Sequence, residues 1–306
     1  MSYEGILPVH KPENYTSHDV VAKLRRILGL KRIGHTGTLD PLVTGVLPVC
    51  LGRATRVAEY VQDLPKEYEA QLTVGFSTDT EDISGVIVDK VEPLHLSLDD
   101  DQIKGALSKY IGEISQIPPM YSAVKVNGQK LYQLARAGVE IERPARTVNI
   151  YRLAFLGRSV SDEGYPVITV RVLCSKGTYI RTLCSDIGKS LGYPAVMSNL
   201  IRTSSGGFTL SQAVHLEEIE RLHQAADLHQ HIISADIAIQ HYPACHFDEQ
   251  KSRQLRCGLS VEYAASHQFA DGNIVRGYDE RGSFIGVLTW NNQREQLVPH
   301  KIWSQA

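Results

Sequence analysis

Apolar residues recur at helical spacing through Val20, Val21, Leu24, Ile27 and Leu28, and Gly29 closes the run, so the pattern predicts an amphipathic helix with Ser17 as its N-cap. The period then shortens. Tyr68, Ala70, Leu72, Val74 and Phe76 alternate with Glu67, Glu69, Gln71 and Thr73, the signature of a half-buried strand whose apolar face begins at Tyr68. An acidic loop over 78–84 leads through Gly85 into a second strand, 86–91. A helix is predicted over 97–113. Pro118 and Pro119 interrupt the pattern, and a short strand over 122–127 and a helix over 130–137, closed by Gly138, follow. The β-branched run 167–174 reads as a strand, and Ile180, Leu183, Cys184, Ile187 and Leu191 mark a helix capped by Thr178. Tyr179 and Arg181 fall off that helix's apolar stripe, which places them at a rim or cleft.

Past about residue 210 the chain turns polar and rich in His and acids, as two helical segments, and from about 245 it changes to short strands with frequent turns. This divides the chain into a large domain, 1–244, whose last part, 210–244, is a helical connection, and a small β-rich domain, 245–306. No apolar run approaches the roughly 20 residues that span a bilayer, and the N-terminal residues lack a signal-peptide pattern, so cytoplasmic residence without membrane contact is the expectation.

Composition narrows the chemistry. The 306 residues include five cysteines with no CxxC pair, which argues against a disulfide framework or structural zinc. His229 and His231 would not share a helical face, so no metal site is expected there, and the acids of 78–84 lack the offsets of a calcium loop. The net charge of −2 gives no global sign of nucleic-acid binding. Locally the picture differs. Lys23, Arg25, Arg26, Lys31 and Arg32 occur without acids just before residue 34, which suits either a phosphate-bearing substrate or a solvated helix face. Arg136, Arg143, Arg146 and Arg152 allow the same two readings.

The strongest candidate for chemistry is GHTGTLD at 34–40, followed by Pro41. Gly34 and Gly37 permit backbone angles that other residues resist, and Pro41 pushes Asp40 toward an extended conformation. The largely apolar run 42–51 would anchor the turn against a core and present the Asp40 carboxylate outward. The loop lacks the spacing of a phosphate-binding P-loop.

Three blocks together, GHTGTLDPLVTGVLPVCLG at 34–52, KEYEA at 66–70 and CSKGTYIRTLCSDIG at 174–188, closely resemble the TruB family of tRNA pseudouridine synthases. HKP at 10–12, LIRTSSGGF at 200–208 and the β-rich tail extend the resemblance over nearly the whole chain. It implies an α/β (α+β) fold: a mixed, largely antiparallel sheet with flanking helices, and a PUA-like RNA-binding domain at the C-terminus. It also implies isomerisation of uridine to pseudouridine in the T loop of tRNA, at position 55 in tRNA numbering, by base flipping and without a cofactor or metal. A monomer is expected.

By the same matching Asp40 is catalytic, Tyr68 stacks on the target base, and Arg181 pairs with Asp40. His35 lies at the T-loop contact, Tyr179 and Leu200 line the uracil pocket, and Lys11, Gly34, Thr36 and Gly37 belong to the substrate-binding set. Physics agrees: loss of N1 leaves positive character at ribose C1′, which an ionised carboxylate can stabilise or attack. Two other classes remain to be separated: a tRNA-binding or folding module without catalysis, and a phosphohydrolase using Asp40 as nucleophile.

Overall fold

The computed structural model describes residues 3–122, 124–126, 128–139, 141–264 and 268–303. The first strand, β1 (Gly5–Lys11), is buried on both faces and leads into α1 (Ser17–Leu28), which buries Val20, Val21, Leu24 and Leu28 and ends at Gly29 in the left-handed region (φ 64°). The N-cap is Thr16 and not Ser17. Thr16 and Asp19 form a reciprocal capping box, which leaves the buried Ser17 hydroxyl for another task. The strands β2 (Ile33–His35) and β3 (Thr44–Leu51) flank the 36–43 turn, and α2 (Ala58–Asp63) then leads to β4 (Lys66–Val74). Tyr68, Ala70, Leu72 and Val74 are buried along β4, as the alternation predicts.

A hairpin of β5 (Phe76–Thr78) and β6 (Ile87–Lys90) encloses the acidic turn. The single helix expected over 97–113 is a shorter α3 (Asp100–Ser108), capped by Asp99 and Gln102, followed by an edge strand β7 (Gly112–Gln116). Gly112, at φ 98°, marks the break. The strand expected over 122–127 lies partly outside the described residues, as does the side chain of Arg136. Two short strands, β8 (Lys125–Val126) and β9 (Gln129–Lys130), pair there, before α4 (Leu131–Arg136). Next come β10 (Arg146–Val160), β11 (Pro166–Cys174), α5 (Ile180–Leu191) and β12 (Ala195–Ser205). The helix α5 begins after Tyr179 with no side-chain cap, because Thr178 instead donates to the Ser175 carbonyl.

Short strands β13 (Phe208–Thr209) and β14 (Val214–His215) and helices α6 (Leu216–Gln224) and α7 (Ala235–Ala238) complete the larger part. Its sheet runs β14-β1-β3-β12-β4-β11-β10-β7, with β2 on β3 and β13 on β12. Only the β1·β14 and β3·β12 pairs are parallel, so the sheet is mixed and largely antiparallel. Gly45 makes the β3·β12 crossing close: a Cβ there would stand 2.3 Å from the Arg202 carbonyl oxygen.

The β-rich tail consists of β15 (Ala244–Phe247), α8 (Glu249–Arg256), β16 (Val261–Glu262), β17 (Ile274–Asp279), β18 (Phe284–Asn291) and β19 (Gln296–Ile302). Its five strands form a separate sheet around Phe247, Leu255, Leu288 and Trp290. Val287 and Phe284 also pack with Ile6, Val46 and Tyr60, joining this sheet to the larger domain. Among the described residues no helix is long and apolar enough to cross a membrane.

Candidate active site

The 34–41 loop is pinned by backbone contacts before any chemistry is considered. The Ser17 hydroxyl accepts from Leu39 N (2.9 Å) and donates to Leu39 O, which ties the start of α1 to the residue before Asp40. The Lys11 ammonium, fully buried, donates to the carbonyls of Pro12, Tyr15 (2.5 Å) and Pro41 (3.0 Å). Burial pushes its pKa down to about 8, against the opposing pull of the Asp40 charge. Thr36 is buried, with its N–H and hydroxyl both directed at the Pro48 carbonyl. Arg202, 1% exposed, donates to the carbonyls of Val46 (2.7 Å) and Gly37 (3.2 Å). A turn closed by Val43 N on the Asp40 carbonyl completes the loop.

That scaffold presents Asp40 half-exposed, at 45% of its side-chain surface, with Oδ2 3.1 Å from Arg181 Nε. Arg181 is itself buried. Its Nη1 donates to the Thr80 carbonyl (2.9 Å) and approaches Asp82 Oδ2 (3.5 Å), and Nη2 donates to the Tyr121 carbonyl (2.8 Å). Asp82 is held in turn by Thr80 and by the backbone N–H of Ser84. One guanidinium therefore serves two carboxylates and two carbonyls, a fork geometry that lysine cannot reproduce. Among the described residues nothing donates to Asp40 Oδ1, so one carboxylate oxygen is available for reaction.

Beside this pair, Leu39, Val43, Tyr68 and Leu200 belong to one apolar cluster. Tyr68 is 9% exposed, and burial raises its phenol pKa while Arg202 pulls it down. Leu42, Val43, Asp82 and Leu200 line a small adjoining cavity of about 60 Å³. Tyr179 sits at the start of α5, its N–H and C=O both bonded to the buried Gln116 amide (2.8 and 3.0 Å). His35, at the end of β2, accepts from Gly37 N on Nδ1 (3.3 Å) and meets the His18 ring edge-on. Burial, with His18 and Arg202 nearby, pushes its pKa down to about 4, so the ring is neutral near pH 7. Among the described residues no group of three or more His, Cys, Asp or Glu is placed to hold a metal ion.

Comparison with known proteins matches this architecture along the chain. A model described as TruB family pseudouridylate synthase, N-terminal domain, matches residues 25–180, and one described as tRNA pseudouridylate synthase B C-terminal domain matches 181–240. The chain belongs to the TruB family. It is 49% identical over 303 residues to a tRNA pseudouridine synthase B of Bacillus velezensis, covering 98% of each chain. It is 48% identical to that of Staphylococcus haemolyticus, covering 99% of this chain and all of the relative. Among solved structures it resembles a chain of a Cbf5-Nop10-Gar1 complex, with a TM-score of 0.74 and 27% identity over 97% of this chain and 84% of that one. The fold expected from the TruB resemblance, a mixed sheet with flanking helices and a β-rich C-terminal part, is the fold observed, and the chain is an isomerase of the pseudouridine synthase type.

For this TruB-family chain the structure brings Asp40, Arg181, Tyr68 and Leu200 together, with Tyr179 at the start of the same helix as Arg181. Several expected substrate contacts do otherwise. Lys11 and Thr36 are buried and their polar groups are bonded to carbonyls, so in this structure they hold the loop. Gly34 is strand backbone paired with Cys50, and a Cβ there would meet only Thr55 at 3.8 Å, so no special backbone angle demands glycine. Gly37 contributes its carbonyl to Arg202. Arg181 lies under the site and not at its rim.

Three contributors escaped sequence reasoning. Asp82 was one of several acids in a loop, and nothing local distinguished it. Gln116 lay between the helix predicted over 97–113 and the prolines at 118 and 119, in a stretch given no element. Arg202 did carry a signal, since it stands two residues after Leu200 on the inward face of a strand, where an arginine is out of place.

Proposed function

We propose that this chain isomerises uridine to pseudouridine in the T loop of tRNA, at position 55, with Asp40 acting at ribose C1′. The observation that carries the reading is the Asp40–Arg181 pair: a half-exposed carboxylate with one oxygen fixed at 3.1 Å and the other available. The C1′–N1 bond breaks, the freed uracil turns over, and C1′–C5 forms as C5 loses its proton and N1 gains one. Positive character at C1′ is greatest when neither bond is complete, and Asp40 Oδ1 can stabilise or bond to that carbon. Tyr68 and Leu200 hold the detached base, and the Tyr68 hydroxyl assists departure of the C5 proton. Tyr179 and His35 border the entering nucleotide.

The uridine must leave its stack to reach Asp40, at a cost of a few kcal/mol. Phosphate contacts from the exposed Arg25, Arg26, Lys31 and Arg32, together with the PUA-like sheet of 245–306, offset that cost. The protein acts as a monomer. The test is tritium release from a tRNA transcript carrying 5-tritiated uridine, with the modified position then mapped. Release coupled to pseudouridine at position 55, undiminished by excess EDTA, is expected; release at another position, or none, overturns the reading.

A further inference from the structure

We propose that Arg202 is a positioning residue for the isomerisation: a single buried guanidinium that fixes the Asp40 loop relative to the strand pair that carries Tyr68. The proposal rests on the roles given above to Asp40 and Tyr68. Three observations carry it. Arg202 bonds the Gly37 carbonyl, three residues before Asp40, and the Val46 carbonyl, six residues after it, so both arms of the loop are referenced to one rigid fork. It lies opposite Tyr68 in the β12·β4 register, and its charge opposes the burial that raises the Tyr68 phenol pKa. And Gly45 lacks the Cβ that would otherwise push β12 away from β3 and carry the arginine with it.

The electrostatics are unusual for a residue that only fills space. Arg202 is 1% exposed, and among the described residues no carboxylate lies within ion-pair distance of it. Its charge depresses the proton affinity of Lys11, Lys66 and His35. A buried cation without a counter-ion is costly, and an apolar side chain of similar volume is commonly neutral or better for stability. At Tyr68 burial raises the phenol pKa, and the Arg202 charge works against that rise. A phenol takes up the C5 proton only as its own proton is shared or leaves, and adjacent positive charge favours that state.

The experiment is single-turnover conversion of tRNA carrying either ordinary or 5-deuterated uridine, by wild type, Arg202→Lys, Arg202→Gln, Tyr68→Phe and the Tyr68→Phe/Arg202→Lys double variant. Arg202→Lys keeps the charge and loses the fork. It is expected to slow conversion by up to about 100-fold, the size of an ångström-scale misplacement. The tRNA Kd should change less than about threefold, and the 5-deuterium effect should rise above that of wild type. Tyr68→Phe, with Arg202 intact, should move rate and isotope effect in the same direction. The double variant should be slower than Tyr68→Phe by a smaller factor than Arg202→Lys is slower than wild type, because part of the Arg202 effect is shared with Tyr68 and the rest acts through the Asp40 loop.

Wild-type rate and isotope effect in Arg202→Lys, with Tyr68→Phe impaired, would overturn the role of Arg202 and leave that of Tyr68 standing. A normal Tyr68→Phe would instead remove the reading on which the proposal rests. If melting shows that both Arg202 substitutions unfold the chain, the arginine is architectural and the proposal falls.

Discussion

The floor of the site and its rim are built on opposite plans. On the floor Lys11, Thr36, Arg181 and Arg202 are 5% exposed or less, and each makes contacts with backbone carbonyls that leave little freedom. At the rim, the turn and strand after Asp82 expose Ile83, Val86, Ile87 and Val88 by 52–72%. The difference separates two tasks. On the proposed reading, groups that act on C1′ must be held in place before substrate arrives, because reorganising them during reaction raises the barrier. Groups that greet an RNA surface gain from exposure. Floor substitutions should therefore change chemical rates at nearly constant affinity, and rim substitutions the reverse.

The largest effect should come from Asp40→Asn, which keeps the shape and removes the charge. We expect conversion of bound tRNA to fall at least about 1,000-fold, with Kd within about threefold of wild type. Filter binding and single-turnover assays on one preparation check both numbers. Turnover near wild type would make the Asp40–Arg181 pair structural and the protein a binding module or an enzyme of another design.

Arg181→Lys should come next, at about 10- to 100-fold in the chemical step. A single ammonium cannot serve Asp40, Asp82 and the Thr80 and Tyr121 carbonyls together, so the carboxylate loses its orientation. A uniform rise in Kd without a rate change would instead place Arg181 on the RNA-binding side of the comparison.

How much of this was legible in the sequence follows the same division. Alternation along β4 and helical spacing along α1 were readable because each element buries one face, whereas α5 kept an apolar stripe in sequence although 180–185 are all buried. The break between α3 and β7 was not, because Ile111 and Ile114 continue an apolar pattern while Gly112 turns the chain. Within the site, Asp40 stood out through its turn chemistry. Lys11 and Thr36 were expected among the substrate contacts, and the structure shows them buried on carbonyls: polar residues beside such a loop look alike in sequence whether they face outward or a carbonyl, and only tertiary burial separates them. Asp82 reaches Arg181 from 99 residues away along the chain, a contact no local pattern encodes.

Buried lysines give a gentler handle on the floor. Burial pushes Lys66 down to about 8, and it is held on the carbonyls of Gln62 and Leu64 (2.6 Å to the latter). An unfolded lysine keeps its proton to about 10.4, so between these values the unfolded chain binds more protons and the contribution of Lys66 to stability rises with pH. Below about 8 the buried charge costs the folded state its full penalty. Relative to Lys66→Met, which does not titrate there, wild type should therefore gain stability from pH 7.5 to 9.5, measured by urea midpoints at constant ionic strength. A constant or reversed difference would show that Lys66 keeps its proton in the folded chain.

The smallest expected effect is at the rim, and it makes the comparison sharp. Val86 and Val88 are 72% and 65% exposed, so replacing both by Ser removes little buried surface and should shift stability by less than about 1 kcal/mol. Neither side chain reaches the Asp40–Arg181 pair. The chemical step measured at saturating enzyme should stay within about twofold of wild type, while tRNA Kd weakens by up to about threefold if RNA covers the hairpin. A slowed chemical step at unchanged Kd would mean that the hairpin carrying Asp82 transmits strain into Arg181, and the floor could no longer be treated as rigid independently of its rim.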